Sequence, residues 1–522
     1  MSRKSLLEQL KAVQRFDLVV IGGGATGLGV ALDAIERGFS VALLEANDFA
    51  SGTSSRSTKL LHGGVRYLAQ GNVRLVREAL HERSTLMAMA PHLAQSLSFV
   101  MPAYRFWQMP FYGVGLKLYD LLAGRKGLGP TKLLSKAETL AALPGVASQG
   151  LIGGVQYWDG QFDDARFALW LAKRFRDAGG VAINYASVKR IERADVSAHT
   201  PFTVHVHDEI DATDFTLEAT ALVNATGVWV DALRRHATAD RQSHLVSPSQ
   251  GVHLVVSQDF LPAKQALLIP KTSDGRVLFA VPWLGALILG TTDTPRQDLP
   301  RHPAPFQEEL SFLLQESSKA LAKPVRAEDV QSVWVGLRPL VATHDAHATP
   351  TLSREHTIVK DANGMVSVTG GKWTTYRVMA QDTLHACFDA QLLPRRSAPQ
   401  AGPQTASEAA HSVSGQVSLA SPQGLHLYGP EAAQVTRLPG ADRWLAPGLT
   451  EAMVRYAAQS EWAVHVEDVL ARRSRLLFLN AREAMAAAEQ VAAVLFQETG
   501  IDPQLQDFLS LAQQYQIAPH LA

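Results

Sequence analysis

The 522-residue chain holds one cysteine, Cys387. A single thiol excludes an internal disulfide and a cysteine-built metal cluster, and it fits a reducing compartment. An excess of charge of one sign is missing too. Lys+Arg and Asp+Glu each count 49, so no global field recruits nucleic acid. No uncharged apolar run reaches the ~20 residues needed to span a bilayer. The nearest, VLFAVPWLGALILG, ends at Gly290 and is broken by Pro282 and Gly285, which predicts two strands and a turn. The opening MSRKSLLEQLKAVQRFD lacks the apolar core of a signal peptide. Glycine pairs recur without fixed spacing, which excludes a solenoid repeat. What remains is an ordinary globular composition, 46% hydrophobic and 19% charged, long enough for two or three domains.

The most informative stretch runs from Phe16 to Glu45, FDLVVIGGGATGLGVALDAIERGFSVALLE. Leu18 to Ile21 reads as a buried strand. Gly22, Gly24 and Gly27 follow as G-x-G-x-x-G. Leu28, Leu32 and Ile35 then recur at helical spacing up to Gly38, and a second strand, Val41 to Leu44, delivers Glu45. Each part has a physical reason. Gly22 permits a tight turn, Gly24 lets the backbone approach a pyrophosphate, and Gly27 lets helix and strand pack closely. The helix N-terminus offers free N–H groups to phosphate. Glu45 stands where a carboxylate accepts from a ribose hydroxyl. The motif by itself leaves NAD and FAD open.

Two features favour FAD. The motif lies near the start of the chain, and similar glycine turns recur far downstream. After Glu45 comes NDFASGTSSRSTKLLHGG, a hydroxyl- and glycine-rich loop read as a cofactor-wrapping segment. Its candidate cofactor residues are Ser54, Ser55, Lys59, His62 and Gly63. A second strand-to-turn element carries Ala225 and Gly227, and TGGKWTTYR carries Gly371, Lys372 and Thr374. A helix N-terminus and Lys372 there suit a flavin that becomes anionic on reduction. Arg66, Arg338, Arg354 and Lys372 fall on separated segments. Arg338 sits in the apolar VWVGLRPL, where a buried arginine needs an anionic partner, and converging guanidinium groups suit phosphate or carboxylate. His253 lies inside the apolar strand HLVV.

Residues 98–122 are aromatic-rich, and Phe106, Trp107, Phe111, Tyr112, Leu116 and Tyr119 read either as lipid-interface anchors or as a core helix or subunit contact, the last implying a homodimer. Residues 394–422 form an Ala/Ser/Pro/Gln-rich linker, and the last hundred residues read as all-helical.

The motifs IGGGATGLGVALDA, LEANDFASGTSSRSTKLLHGGVRYL, LVNATGVW, GLRPL and GGKWTTYR together resemble the FAD-dependent, quinone-linked glycerol-3-phosphate dehydrogenase family, in order over residues 16–385. The resemblance implies an α/β fold of three parts. These are a glutathione-reductase-like FAD-binding domain (1–83, 150–235 and 355–393), a mixed-sheet substrate domain (84–149 and 236–354) and, after the 394–422 linker, a helical C-terminal cap (423–522). It implies non-covalent FAD and oxidation of sn-glycerol 3-phosphate to dihydroxyacetone phosphate. Electrons would pass to membrane quinone from a protein held peripherally on the cytoplasmic side of the membrane. Carried onto this chain, Arg66, Tyr67, Arg338, Arg354 and Lys372 would bind substrate. Hydride would leave C2 for flavin N5, with His253 as base and Arg338 and Lys372 completing the catalytic set. One departure is Gln250, which stands where the family often has a basic residue. Two rival readings are a flavin oxidase of a hydroxy or amino acid with oxygen as acceptor, and a non-enzymatic FAD-binding protein. An NAD-dependent enzyme is a third.

Overall fold

The computed structural model describes residues 3–13, 15–64, 72–196, 200–237, 244–342, 356–397 and 416–517. Arg66, Tyr67 and Arg354 therefore lie outside the described residues, as does most of the expected linker.

The glycine motif sits at the centre of an eight-stranded sheet. Strand Arg15–Ile21 pairs in parallel with Val41–Leu44 on one side and Thr213–Asn224 on the other. Val181–Ile183 and Val366–Gly370 extend the parallel set, and His356–Lys360 closes one edge antiparallel. Phe202–Asp208 and Ala186–Arg193 add an antiparallel ribbon. The central strands are buried on both faces, as their unbroken apolar runs require. Because Ile21 pairs with both Leu44 and Asn224, the strands end level. Gly22, Glu45 and Ala225 thus emerge together at the carboxyl edge, where ligands bind in such sheets. The stretch VAINYASVKRIER forms two strands, Val181–Ile183 and Ala186–Arg193, parted at Tyr185, whose φ is +57°.

A second, ten-stranded mixed sheet stands beside the first. The predicted hairpin is present: Leu278–Trp283 and Ala286–Gly290 pair antiparallel about Leu284 and Gly285, both at positive φ. Strand Ser249–Ser257 lies between Ala286–Gly290 and Val330–Arg338. Two boundaries differ from expectation. Gly153–Phe162, assigned from sequence to the FAD-binding part, pairs along its whole length with Ala94–Ala103 in the second sheet, and Leu60–Leu61 joins it there. Long-range pairing decides this, and an isolated strand carries no sign of its partner. Residues 416–422, expected as free linker, dock on the hairpin tip: Leu284 and Gly285 N–H groups donate to Leu419 and Ala420 carbonyls at 2.7 and 3.1 Å.

Beyond residue 423 the chain is mainly helical, with Glu451–Ser460, Ala481–Thr499 and Leu505–Gln513 the longest described pieces. It also contains a two-stranded ribbon, Trp444–Ala446 with Leu449–Thr450, where only helix was expected. This part shares one apolar core with the second sheet, Phe478 packing on Trp334. Helix Gln108–Ala123 buries Leu116 and Tyr119, so these two are not surface anchors. Its outward side chains are Phe111, Val114, Leu118 and Leu121, next to exposed Phe106 and Trp107. Among the described residues no helix is long and apolar enough to cross a membrane.

Candidate functional site

A cavity of about 1420 Å³ runs from the carboxyl edge of the first sheet to the second sheet. At one end the Ala25–Glu36 helix begins against the wall, with Gly24, Ala25 and Thr26 lining it. The motif is steric here: a Cβ on Gly27 would lie 1.9 Å from the Gly22 carbonyl oxygen, so a side chain would part the helix from the strand. Ser54 Oγ accepts from the Ala25 N–H at 2.9 Å. Glu45 is bracketed by backbone donors, Gly23 N–H at 2.6 Å and Asn47 N–H at 2.9 Å. Burial pushes its carboxyl above the usual range, and those two N–H groups oppose the shift. Ala225, Gly227, Gly371, Lys372 and Thr374 complete the near wall, and Gly227 and Gly371 both have positive φ. Trp373–Thr375 makes a short turn, and the following helix starts at Tyr376.

Not every residue of the wrapping loop faces this space. Ser54, Thr58 and His62 line it. Ser55 and Lys59 are buried behind it instead. Lys59 Nζ donates to Asp164 Oδ2 at 2.8 Å and to the Ser55 carbonyl at 2.7 Å, over the face of Trp334. Burial, then the neighbouring Arg475 charge, brings the Lys59 ammonium down to about 7. Gly63 packs under Tyr119, and its N–H donates to Asp159. The loop is an alternation of inward and outward side chains that composition does not reveal.

The far end is polar and cationic. Among the described residues Arg338 is fixed by four acceptors: Asp293 Oδ1 at 3.1 Å, Thr291 Oγ1 at 3.1 Å, and the Thr292 and Gln250 carbonyls at 2.9 and 3.2 Å. Gly251 makes room for it, since a Cβ there would meet the guanidinium at 2.2 Å. His253, two residues on, shares the same face. Its ring stacks on Trp334 at 4.0 Å between centroids, and its Nε2 is hydrogen-bonded to Thr58 Oγ1 at 3.0 Å. Burial, then Arg338 and Lys59, hold the imidazole well below its ordinary pKa, so it is neutral near pH 7. Gln250 points the opposite way, as alternation along a strand requires. Its amide bonds Glu309 and Arg296, away from the cavity.

Sequence reasoning missed Asn47, Thr58, Thr291, Asp293 and Arg301, all on the wall. A signal existed for the third and fourth, because TTDT follows an apolar strand directly. Arg301 had none. A further arm of the cavity is apolar, lined by Phe99, Met101, Tyr157, Leu268 and Phe279 and by helix residues Phe111, Val114 and Leu118.

The residues present fit FAD. Donor N–H groups at a helix start, a carboxylate for a ribose and a second set of glycine turns with Lys372 occur along one continuous space. Residues 17–377 match the model of the FAD dependent oxidoreductase family, and residues 403–506 that of the C-terminal domain of alpha-glycerophosphate oxidase. The mitochondrial glycerol-3-phosphate dehydrogenase of Bos taurus is 38% identical over 96% of this chain and 73% of its own length. That of Schizosaccharomyces pombe is 35% identical over 98% and 88%. The crystal structure of glycerol-3-phosphate dehydrogenase from Bacillus halodurans complexed with FAD superposes with a TM-score of 0.72 at 29% identity, covering 98% of this chain and 97% of that one. Glycine oxidase from Geobacillus kaustophilus, at 21% identity and a TM-score of 0.54, shares the fold. With its glycine motif, second glycine turns and C-terminal region all accounted for, this chain belongs to the FAD-dependent glycerol-3-phosphate dehydrogenase family.

Proposed function

We propose that this protein oxidises sn-glycerol 3-phosphate to dihydroxyacetone phosphate and passes the electrons to a membrane quinone. The observation that carries the reading is that Arg338, Lys372 and His253 line the same cavity as the dinucleotide motif. FAD, when bound, supplies the hydride acceptor. The remaining work falls to side chains. Arg338 and Lys372 attract the phosphate dianion, and its binding orients C2. Arg338 is suited to this because its four acceptors hold the guanidinium still before substrate arrives. His253, neutral and buried, takes the C2 hydroxyl proton. Arg66, Tyr67 and Arg354 complete the proposed substrate set.

The test is anaerobic bleaching of the flavin by glycerol 3-phosphate, set against glycerol, lactate and glycine. Bleaching by glycine or lactate instead, with peroxide formed in air, would make the protein an oxidase of the rival class. Arg338→Ala should raise the apparent KM for glycerol 3-phosphate roughly ten- to hundredfold, the cost of one charge-assisted contact, and leave bound FAD intact. Unchanged kinetics would confine Arg338 to its pair with Asp293.

The quinone reading is supported by the apolar arm. Phe111, Val114 and Leu118 belong both to its lining and to the exposed face of the Gln108–Ala123 helix. Phe106 is 81% exposed and Phe111 66%, and exposed Arg105 and Lys117 flank them. Apolar rings with nearby cations suit an anionic lipid surface, so a lipid-soluble acceptor would meet the cavity at this face. Phe106→Ser combined with Phe111→Ser should abolish co-sedimentation with anionic liposomes while dye-linked activity persists. Undiminished sedimentation would dismiss this helix as the contact.

A further inference from the structure

The turn that carries Glu45 is held by the other end of the chain. Glu45 Oε1 accepts from the Asn47 N–H at 2.9 Å. Asn47 Oδ1 accepts from Arg301 Nη1, also at 2.9 Å. The other arm of Arg301 pairs with Glu467, in the C-terminal part. Glu467 Oε1 accepts from Arg472 Nη1 at 2.6 Å, and Arg472 pairs in turn with Asp48, the neighbour of Asn47. The circuit closes on the residue beside its start. Arg473 Nη2 adds a bond to Asp48 at 2.9 Å.

The inner part of this junction is buried and tightly determined. The Asp48, Asp468, Arg472 and Arg473 side chains are at most 2% exposed. Three non-glycine residues around it have left-handed backbone: Tyr185, Trp462 and Arg475, at φ of +57°, +55° and +60°. Such conformations persist where the surroundings over-determine them. Tyr185 touches the circuit directly, and Trp462 packs on the residue next to it. The Tyr185 N–H donates to the Asn47 carbonyl at 2.9 Å, and its hydroxyl to Asp468 at 2.5 Å. Trp462 packs edge-on against Phe49 at 5.6 Å. Arg301 differs from the rest: it lines the cavity beside Glu45, Ala46 and Asn47, and its side chain is 37% exposed.

We propose that Arg301 is a cofactor-retaining residue, held on the cavity wall by Glu467, through which docking of the C-terminal part sets the rate of FAD release. Arg301 and Glu467 act together, because one guanidinium spans the ribose-side turn and the C-terminal carboxylate. With either end released, the brace on the Asn47 side chain weakens, and with it the turn whose backbone N–H groups hold the Glu45 carboxylate.

The experiment uses the full-length holoenzyme. FAD release after dilution is followed by the rise in flavin fluorescence. Arg301→Gln should release FAD about tenfold faster, the effect of losing one charge-assisted bond, and Glu467→Gln should act in the same direction. The double variant should release FAD more slowly than the product of the two single effects predicts, since the changes share the Arg301–Glu467 link, although Glu467 also holds Arg472. Arg301 is partly exposed, so Arg301→Gln should fold, and its unfolding temperature in saturating FAD should match the parent. An unchanged release rate in Arg301→Gln would overturn the proposal. So would single effects that multiply in the double variant, and so would a lowered unfolding temperature with parental release, which would make Arg301 merely structural.

Discussion

Replacing His253 with asparagine in the FAD-loaded enzyme should slow anaerobic flavin reduction by glycerol 3-phosphate about 10²–10⁴-fold, the usual contribution of a positioned general base. Bound FAD should be unaffected, because His253 sits on the second sheet with Trp334 and Thr58, away from the glycine motif. The loss should be equal at pH 6.5 and pH 8. A histidine whose pKa burial drives well below its ordinary value is neutral at both. The sign for stability is opposite to that of a paired histidine. Below about pH 6.5 the unfolded chain takes a proton that the folded one refuses, so this group lowers stability as pH falls. An unchanged bleaching rate would remove His253 from the proton transfer.

Asp164→Ala should cost about 3–5 kcal/mol of stability, the usual price of leaving buried charge without its partner. Asp164 accepts from Lys59 Nζ at 2.8 and 3.0 Å, from the Ser57 N–H and hydroxyl at 3.0 and 2.7 Å, and lies 3.4 Å from Arg475. All three charged side chains are fully buried. Removing the carboxylate sets two cations together. It also frees the loop that brings Thr58 to His253, so activity should fall with stability. With Lys59 at about 7 in the folded state, the unfolded chain binds more protons above that pH. Stability from this group therefore rises with pH between about 7 and its ordinary 10.5. Without the carboxylate Lys59 gives up its proton at a still lower pH, so the deficit of Asp164→Ala, measured as a shift in thermal unfolding midpoint, should shrink as pH rises toward about 7 and stay level above it. A deficit under about 1 kcal/mol at pH 7 would mean water or rearrangement compensates the pair.

How far the site could be read in advance depends on where each residue finds its partners. Gly22, Gly27 and Glu45 were legible because strand, turn, helix and strand satisfy one another within thirty residues, and the period of apolar residues reports that directly. The hairpin around Leu284 was legible for the same reason. Lys59 and Ser55 were not. Their loop has the composition of a cofactor segment, but the direction of Lys59 is set by Asp164, 105 positions away. Arg301 was silent in sequence, since its meaning comes from Asn47 and Glu467, 254 and 166 positions distant. Gln250 looked like a departure from the family, and strand alternation turns it toward Glu309 instead of the cavity. By itself, then, the sequence determined the dinucleotide motif, the neutral charge balance and the family. The tertiary structure decided which hydroxyls and cations of those same segments face the cavity. The physical reason is that an apolar residue needs only to leave water, which any buried position allows, whereas a buried charge needs one particular counter-charge, and the chain supplies it from far away.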